Sequence, residues 1–158
     1  MGLISDTHGL LRPEALHYLQ GCQLIVHAGD IGGRDILNAL SAIAPVIAVR
    51  GNNDTEPDMQ SLRETEFARI GEGLLQVVHA RADLHQDPPT EGVRVVVTGH
   101  SHKPLLEHDG GILFVNPGSA GRRRFSLPVA IGELRIEPGA RIAARIVNVL
   151  DGSVLAAA

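Results

Sequence analysis

The stretch Val95-Val96-Val97-Thr98-Gly99-His100-Ser101-His102 limits most strongly what this chain can fold into. A β-branched apolar run leads through a glycine into two histidines spaced one residue apart. Such a run reads as a buried strand. Residues i and i+2 of extended chain point to the same side, so both imidazoles can face one spot. Four other apolar runs stop in a similar way. Gly2-Leu3-Ile4-Ser5 ends at Asp6-Thr7-His8, and Leu24-Ile25-Val26 at His27-Ala28-Gly29-Asp30. Val46-Ile47-Ala48-Val49 ends at Gly51-Asn52-Asn53-Asp54, and Leu74-Leu75-Gln76-Val77-Val78 at His79. An Asp or Asn after any one strand is adequately explained as a turn starter. Seven ligand-type side chains at five strand ends are not: Asp6, His8, Asp30, Asn52, His79, His100 and His102. Ligand sites in open α/β sheets gather outside the carboxyl ends of strands. These seven are therefore expected to converge on one crevice, and their imidazole and oxygen donors suit a transition-metal ion.

The remaining pattern describes the frame. Pro13 to Leu19 and Asp35 to Ile43 carry helical apolar periodicity. Glu66 to Ile70 alternates and is followed by Gly71 and Gly73, the signature of a half-exposed strand entering a hairpin. Ile112 to Val115 is a further strand ending at Asn116-Pro117-Gly118-Ser119. Val129 to Ile136 and Arg141 to Val149 alternate across a Pro138-Gly139 turn. Helices come early and strands alone later, which predicts a layered α/β fold with mixed sheets. A length of 158 residues suits a single domain over residues 1–158.

A net charge of −4 argues against bulk capture of nucleic acid or of an anionic membrane surface. The single Cys22 excludes an internal disulfide framework and fits a reducing, cytoplasmic setting. No stretch reads as a signal peptide or membrane span.

In order and spacing, Asp6-Thr7-His8, Gly29-Asp30, Gly51-Asn52-Asn53-Asp54, His79 and Gly99-His100-Ser101-His102 resemble the motif set of calcineurin-like metallophosphoesterases. With Asn116-Pro117-Gly118-Ser119, they resemble its small bacterial and archaeal phosphodiesterase branch. The resemblance implies a four-layer αββα sandwich of two mixed β-sheets. It implies one metal held by Asp6, His8, Asp30 and His102, and another by Asp30, Asn52, His79 and His100, with Asp30 bridging. Two divalent transition-metal ions are expected; manganese comes first, with iron, nickel, cobalt or zinc admissible and calcium disfavoured. The implied reaction is hydrolysis of a small phosphodiester by a metal-bridging hydroxide attacking phosphorus in line.

Three further residues join Asp30 as expected catalytic groups. Asn53 stands where many members carry a general-acid histidine, and an amide cannot protonate a leaving group. Asp54 either hydrogen-bonds a ligating histidine or caps a turn. Arg81 stands where the branch often has a second histidine; it either clamps a phosphate oxygen or lies solvated. His85 is a rim proton donor or a surface residue, and His17 and His27 are expected to be structural. Arg122-Arg123-Arg124 reads first as a solvated basic loop and second as a phosphate contact. Gly32-Gly33 offer either backbone N–H groups to an anion or a plain turn. Alternative functions are a non-catalytic protein-binding scaffold like the retromer small subunit, or a nuclease. No stable nucleic-acid complex and no membrane partner are expected; a homo-oligomer is.

Overall fold

The computed structural model describes residues 1–84, 91–137 and 141–158. In chain order the elements are β1 (Gly2–Ile4), α1 (Pro13–Leu19), β2 (Ile25–His27), α2 (Arg34–Ser41), β3 (Val46–Ala48), β4 (Thr65–Ile70) and β5 (Gly73–Val78). After a single 3₁₀ turn, Arg81–Leu84, come β6 (Val93–Val97), β7 (Leu105–Asp109), β8 (Ile112–Asn116), β9 (Ala130–Ile136), β10 (Ile142–Asn148) and β11 (Val154–Ala157). One sheet has six strands, ordered β11-β10-β9-β1-β2-β3, and the other has five, ordered β4-β5-β6-β8-β7. Both are mixed. β1, β2 and β3 run parallel, whereas β9 joins β1 antiparallel. In the second sheet β5, β6 and β8 run parallel.

Strand alternation divides the apolar residues between layers. Leu3, Val26, Val95, Val97, Leu113 and Val115 face the space between the sheets and form the main core. Their neighbours Ile4, Ile25 and Ile131 turn outward to meet Leu19 of α1 and Ile36 and Leu40 of α2. Pro13 opens α1 at a position whose N–H has no partner within the helix. The outer face of the second sheet is apolar through Val93, Val96 and Phe114, and Leu84 packs on it. The fold is an α/β sandwich of two mixed sheets. Its outer layer on that side, among the described residues, is the one 3₁₀ turn rather than a layer of helices.

Two strands escaped the sequence reading. β7 and β11 are edge strands; with one side in water they need little apolar patterning. The expected Pro138-Gly139 turn and His85 lie outside the described residues. β1, β2 and β3 end on the same side as β5 and β6, so five carboxyl ends open toward one crevice.

Candidate metal centre

The seven ligand-type residues follow strand ends, and five of them lie on backbone that ordinary residues avoid. Among the described residues six non-glycine residues have positive φ, and five of them are Asp6, His8, Asp30, His100 and His102. Left-handed backbone is tolerated by Asp and His more readily than by bulky residues. Asp6 and His8 follow β1, Asp30 follows β2, and His100 and His102 follow β6. Gly99 makes close approach possible: a Cβ there would overlap Ser5 Oγ and stand 2.7 Å from Asp6 Oδ2.

Two groups of donor atoms result. In the first, Asp6 Oδ1 lies 3.1 Å from His102 Nε2 and 3.9 Å from His8 Nε2. The two Nε2 atoms are 3.4 Å apart. In the second, Asn52 Oδ1 is 3.0 Å from both His79 Nε2 and His100 Nδ1. Asp30 Oδ2 stands between the groups, 3.8 Å from His8 Nε2 and 3.4 Å from His79 Nε2.

The hydrogen bonds around these atoms leave lone pairs pointing inward. Asp6 Oδ2 accepts from Ser5 Oγ and the His100 N–H, at 2.6 and 3.1 Å. Asp6 Oδ1 is buried and has no hydrogen-bond donor. Carbonyl oxygens only accept, so His79 Nδ1 donates to Ala28 O at 2.7 Å. In the neutral ring, Nε2 is then a lone pair facing two oxygens. Burial lowers the pKa of His8, which keeps that ring neutral. Burial raises Asp30, but the hydrogen bond that a protonated His79 gives in the metal-free protein, with those from the Asn53 backbone and side chain, overcomes it and holds the carboxyl well below the usual range. Burial also opposes charge on His79, yet the Asp30 carboxylate raises its pKa. A buried carboxylate oxygen without a donor, ringed by imidazole nitrogens, is unsatisfied unless a cation lies among them. The donor set therefore fits divalent transition metals. Asp6, His8 and His102 form one group able to hold an ion, and Asp6, Asp30 and His79 another.

The structure corrects one expected catalytic residue and decides the roles of two others. Arg81 points away from the crevice: its guanidinium pairs with Glu107 and lies 4.3 Å over the Phe114 ring, on the outer sheet face. Among the described residues Asp54 hydrogen-bonds no histidine. Its Oδ1 accepts the N–H groups of Ile31 and Gly32, and its Oδ2 that of Gly51, so it clamps the loops after β2 and β3 together. The carboxylate of Asp54 is thus the anion that the Gly32 N–H meets. Asn53 orients Asp30, donating from its backbone to Oδ1 at 2.8 Å and from Nδ2 to Oδ2 at 2.6 Å.

Asn116 and Ser119, noted in the sequence only as part of a motif, act on the site. Asn116 donates from Nδ2 to Gly99 O and Ser101 Oγ, bracing the His100–His102 loop, and Ser119 Oγ donates to Asp6 O. The sequence signal was the polar Asn-Pro-Gly-Ser at the end of an apolar strand. His27 is fully buried and joins the loops after β1 and β2. The Gly29 N–H donates to its Nδ1, so Nε2 carries the proton and donates to Thr7 Oγ1, which donates to Ile31 O. His17 is exposed on α1. Arg124, expected first to be solvated, brings Nη2 to 3.4 Å from His8 Nε2. A cleft of about 660 Å³ opens on the opposite flank, beside Asn52, His79 and His100, with Arg50 and Asp83 in its wall.

Comparison with known proteins agrees with this geometry. A probable metallophosphoesterase of Methanothermobacter thermautotrophicus is 34% identical over 161 residues, covering 94% of this chain and 91% of that protein. Phosphodiesterase YfcE of Escherichia coli is 32% identical, covering 82% of this chain and 84% of its own length. The crystal structure of Entamoeba histolytica Vps29 complexed with Zn²⁺ superposes with a TM-score of 0.75 at 25% identity, covering 100% of this chain and 97% of that one. The family model for the calcineurin-like phosphoesterase superfamily domain matches residues 1–137. This chain belongs to the calcineurin-like phosphoesterase superfamily.

Proposed function

We propose that this protein is a metal-dependent phosphodiesterase with a dinuclear centre acting on small phosphodiesters. The observation that carries the reading is the position of Asp30 Oδ2, within 3.8 Å of His8 Nε2 on one side and 3.4 Å of His79 Nε2 on the other. One carboxylate oxygen reaches both donor groups. Asp6, His8, Asp30 and His102 would hold one cation, and Asp30, Asn52, His79 and His100 the second. Two divalent ions, manganese first, supply Lewis-acid neutralisation of phosphate charge and lower the pKa of water. The chain's own part is to present neutral imidazoles and only two carboxylates, so the loaded site keeps net positive charge for an anionic ester. Asn53 keeps Asp30 ionised and aligned. No described group stands in for the absent histidine at position 53, which favours esters whose leaving alcohol needs no proton. The phosphodiesterase named among the relatives supports diesters over monoesters.

The test is turnover of bis(p-nitrophenyl) phosphate with added Mn²⁺, with and without a chelator. Metal-dependent hydrolysis that prefers this diester to p-nitrophenyl phosphate is the expected result. Absence of metal-dependent turnover would instead support the scaffold reading, the alternative for which the Vps29 likeness leaves room.

A further inference from the structure

The turn Arg124–Leu127 has two properties that neither the fold nor the metal centre requires. The first is the backbone of Phe125. Of the six described non-glycine residues with positive φ, five surround the candidate metal centre, and the sixth is Phe125 at +53°. For a bulky residue this conformation is an outlier of the kind that persists at functional sites. The second is exposure. The Phe125 ring is 95% exposed, in a chain with only three Phe and no Trp.

The turn is nonetheless firmly built. At the root of its loop, the Ala120 N–H donates to Ser5 O and Ser119 Oγ to Asp6 O, while Arg12 Nε donates to Gly121 O at 3.0 Å. The loop is thereby fastened to the segment that carries Asp6 and His8. At the tip, the Leu127 N–H donates to Arg124 O and Arg123 Nε donates to Leu127 O, both at 3.1 Å. Arg124 extends from this turn to within 3.4 Å of His8 Nε2. Arg50, Arg81, Arg141 and Arg145 pair with carboxylates. Among the described residues Arg124 forms no such pair, so its fork of donors is available at the edge of the centre.

We infer that this turn selects the substrate: Arg124 binds a non-bridging phosphate oxygen, and Phe125 offers its ring face to a planar group on the ester arm that is retained. The substrate class is then a phosphodiester bearing an aryl or nucleoside arm. The inference rests on the phosphodiesterase reading above. A guanidinium suits two phosphate oxygens at once. Aromatic rings stack on any base, because every base has a π-face. A left-handed residue at the tip of a tight turn holds such a ring away from the protein, where nothing competes for its faces.

The experiment compares thymidine 5′-(p-nitrophenyl phosphate) with methyl p-nitrophenyl phosphate, which share a leaving group and differ only in the retained arm. With the Mn²⁺-loaded protein, F125A should lower kcat/KM for the thymidine ester by about 5- to 20-fold and leave the methyl ester within about 2-fold. F125W should restore the preference and F125L should not. R124A should lower kcat/KM for both esters by about 10- to 100-fold, mainly through KM. Calorimetry supplies a second readout: wild type should bind thymidine 5′-monophosphate more tightly than inorganic phosphate, and F125A should lose that difference. All variants should bind as much metal as wild type. An unchanged ester ratio in F125A, an unchanged KM in R124A, or loss of metal from either would overturn the inference while the phosphodiesterase reading stands. Failure of metal-loaded wild type to cleave either ester would overturn both.

Discussion

At the residue scale, Asp30 carries the most. Its two oxygens already receive the Asn53 backbone and side chain, and Oδ2 also faces both donor groups. Asp30→Asn preserves shape but removes the charge that both groups share. It should reduce bound metal from the proposed two ions per chain to one or none and lower kcat/KM for bis(p-nitrophenyl) phosphate by at least about 10³-fold, measured by elemental analysis and steady-state kinetics. Arg81 makes the opposite case. Its guanidinium is engaged by Glu107 and Phe114 on the far face of the sheet. Arg81→Ala should leave kcat/KM within about 2-fold, because an exposed ion pair contributes little even to stability. The ligand-type residues were legible because imidazole and carboxylate at successive strand ends have few other uses. Arg81 was misread, and the two readings of Asp54 stayed open, because sequence places a residue next to a motif but not on a side of the sheet. Which way a side chain turns after a strand depends on backbone angles that only the folded loop reveals.

At the element scale, the site is a set of loops held in register. Asp54 is the main clamp: it is 1% exposed and accepts three backbone N–H groups from two different loops. Asp54→Ala strands those donors in a buried place, so unfolding free energy should fall by about 2–4 kcal/mol. Metal affinity should fall with it, as Asp30 and Asn52 lose their common anchor. Urea titration with and without Mn²⁺ measures both. The strands that carry the site were legible from continuous Val, Ile and Leu, since buried parallel strands need apolar residues on both faces. β7 and β11 were not, because Leu105–Asp109 and Val154–Ala157 pair on one side only and expose most of their side chains. The role of Asn116 was hidden for another reason. Its bonds reach Gly99 and Ser101 through tertiary contact, which a motif can mark but not explain.

At the scale of the whole molecule, the two sheets meet above a polar seam that includes a histidine in the core. Burial lowers the pKa of His27 from 6.5 to about 4. The unfolded chain takes up that proton near pH 6.5, whereas the folded chain refuses it until about pH 4. Stability is therefore unaffected above pH 6.5, falls as pH drops from 6.5 toward 4, and levels off below; the loss amounts to about 3 kcal/mol. His79 acts in the other sense in metal-free protein. Its raised pKa adds stability below 6.5 that is lost as pH rises through the raised value. Comparing wild type with His27→Gln in chelator isolates the first effect: the variant should lose the dependence between pH 4 and 6.5 that wild type shows in denaturant titrations. No described helix is long and apolar enough to cross a membrane. All of these features serve one arrangement, two donor groups joined by Asp30. Anomalous diffraction at the manganese edge, from crystals grown with Mn²⁺, tests it most directly. The account predicts two peaks, one among Asp6, His8, Asp30 and His102 and the other among Asp30, Asn52, His79 and His100, with Asp30 touching both. A single peak, or two peaks that Asp30 does not join, would contradict it.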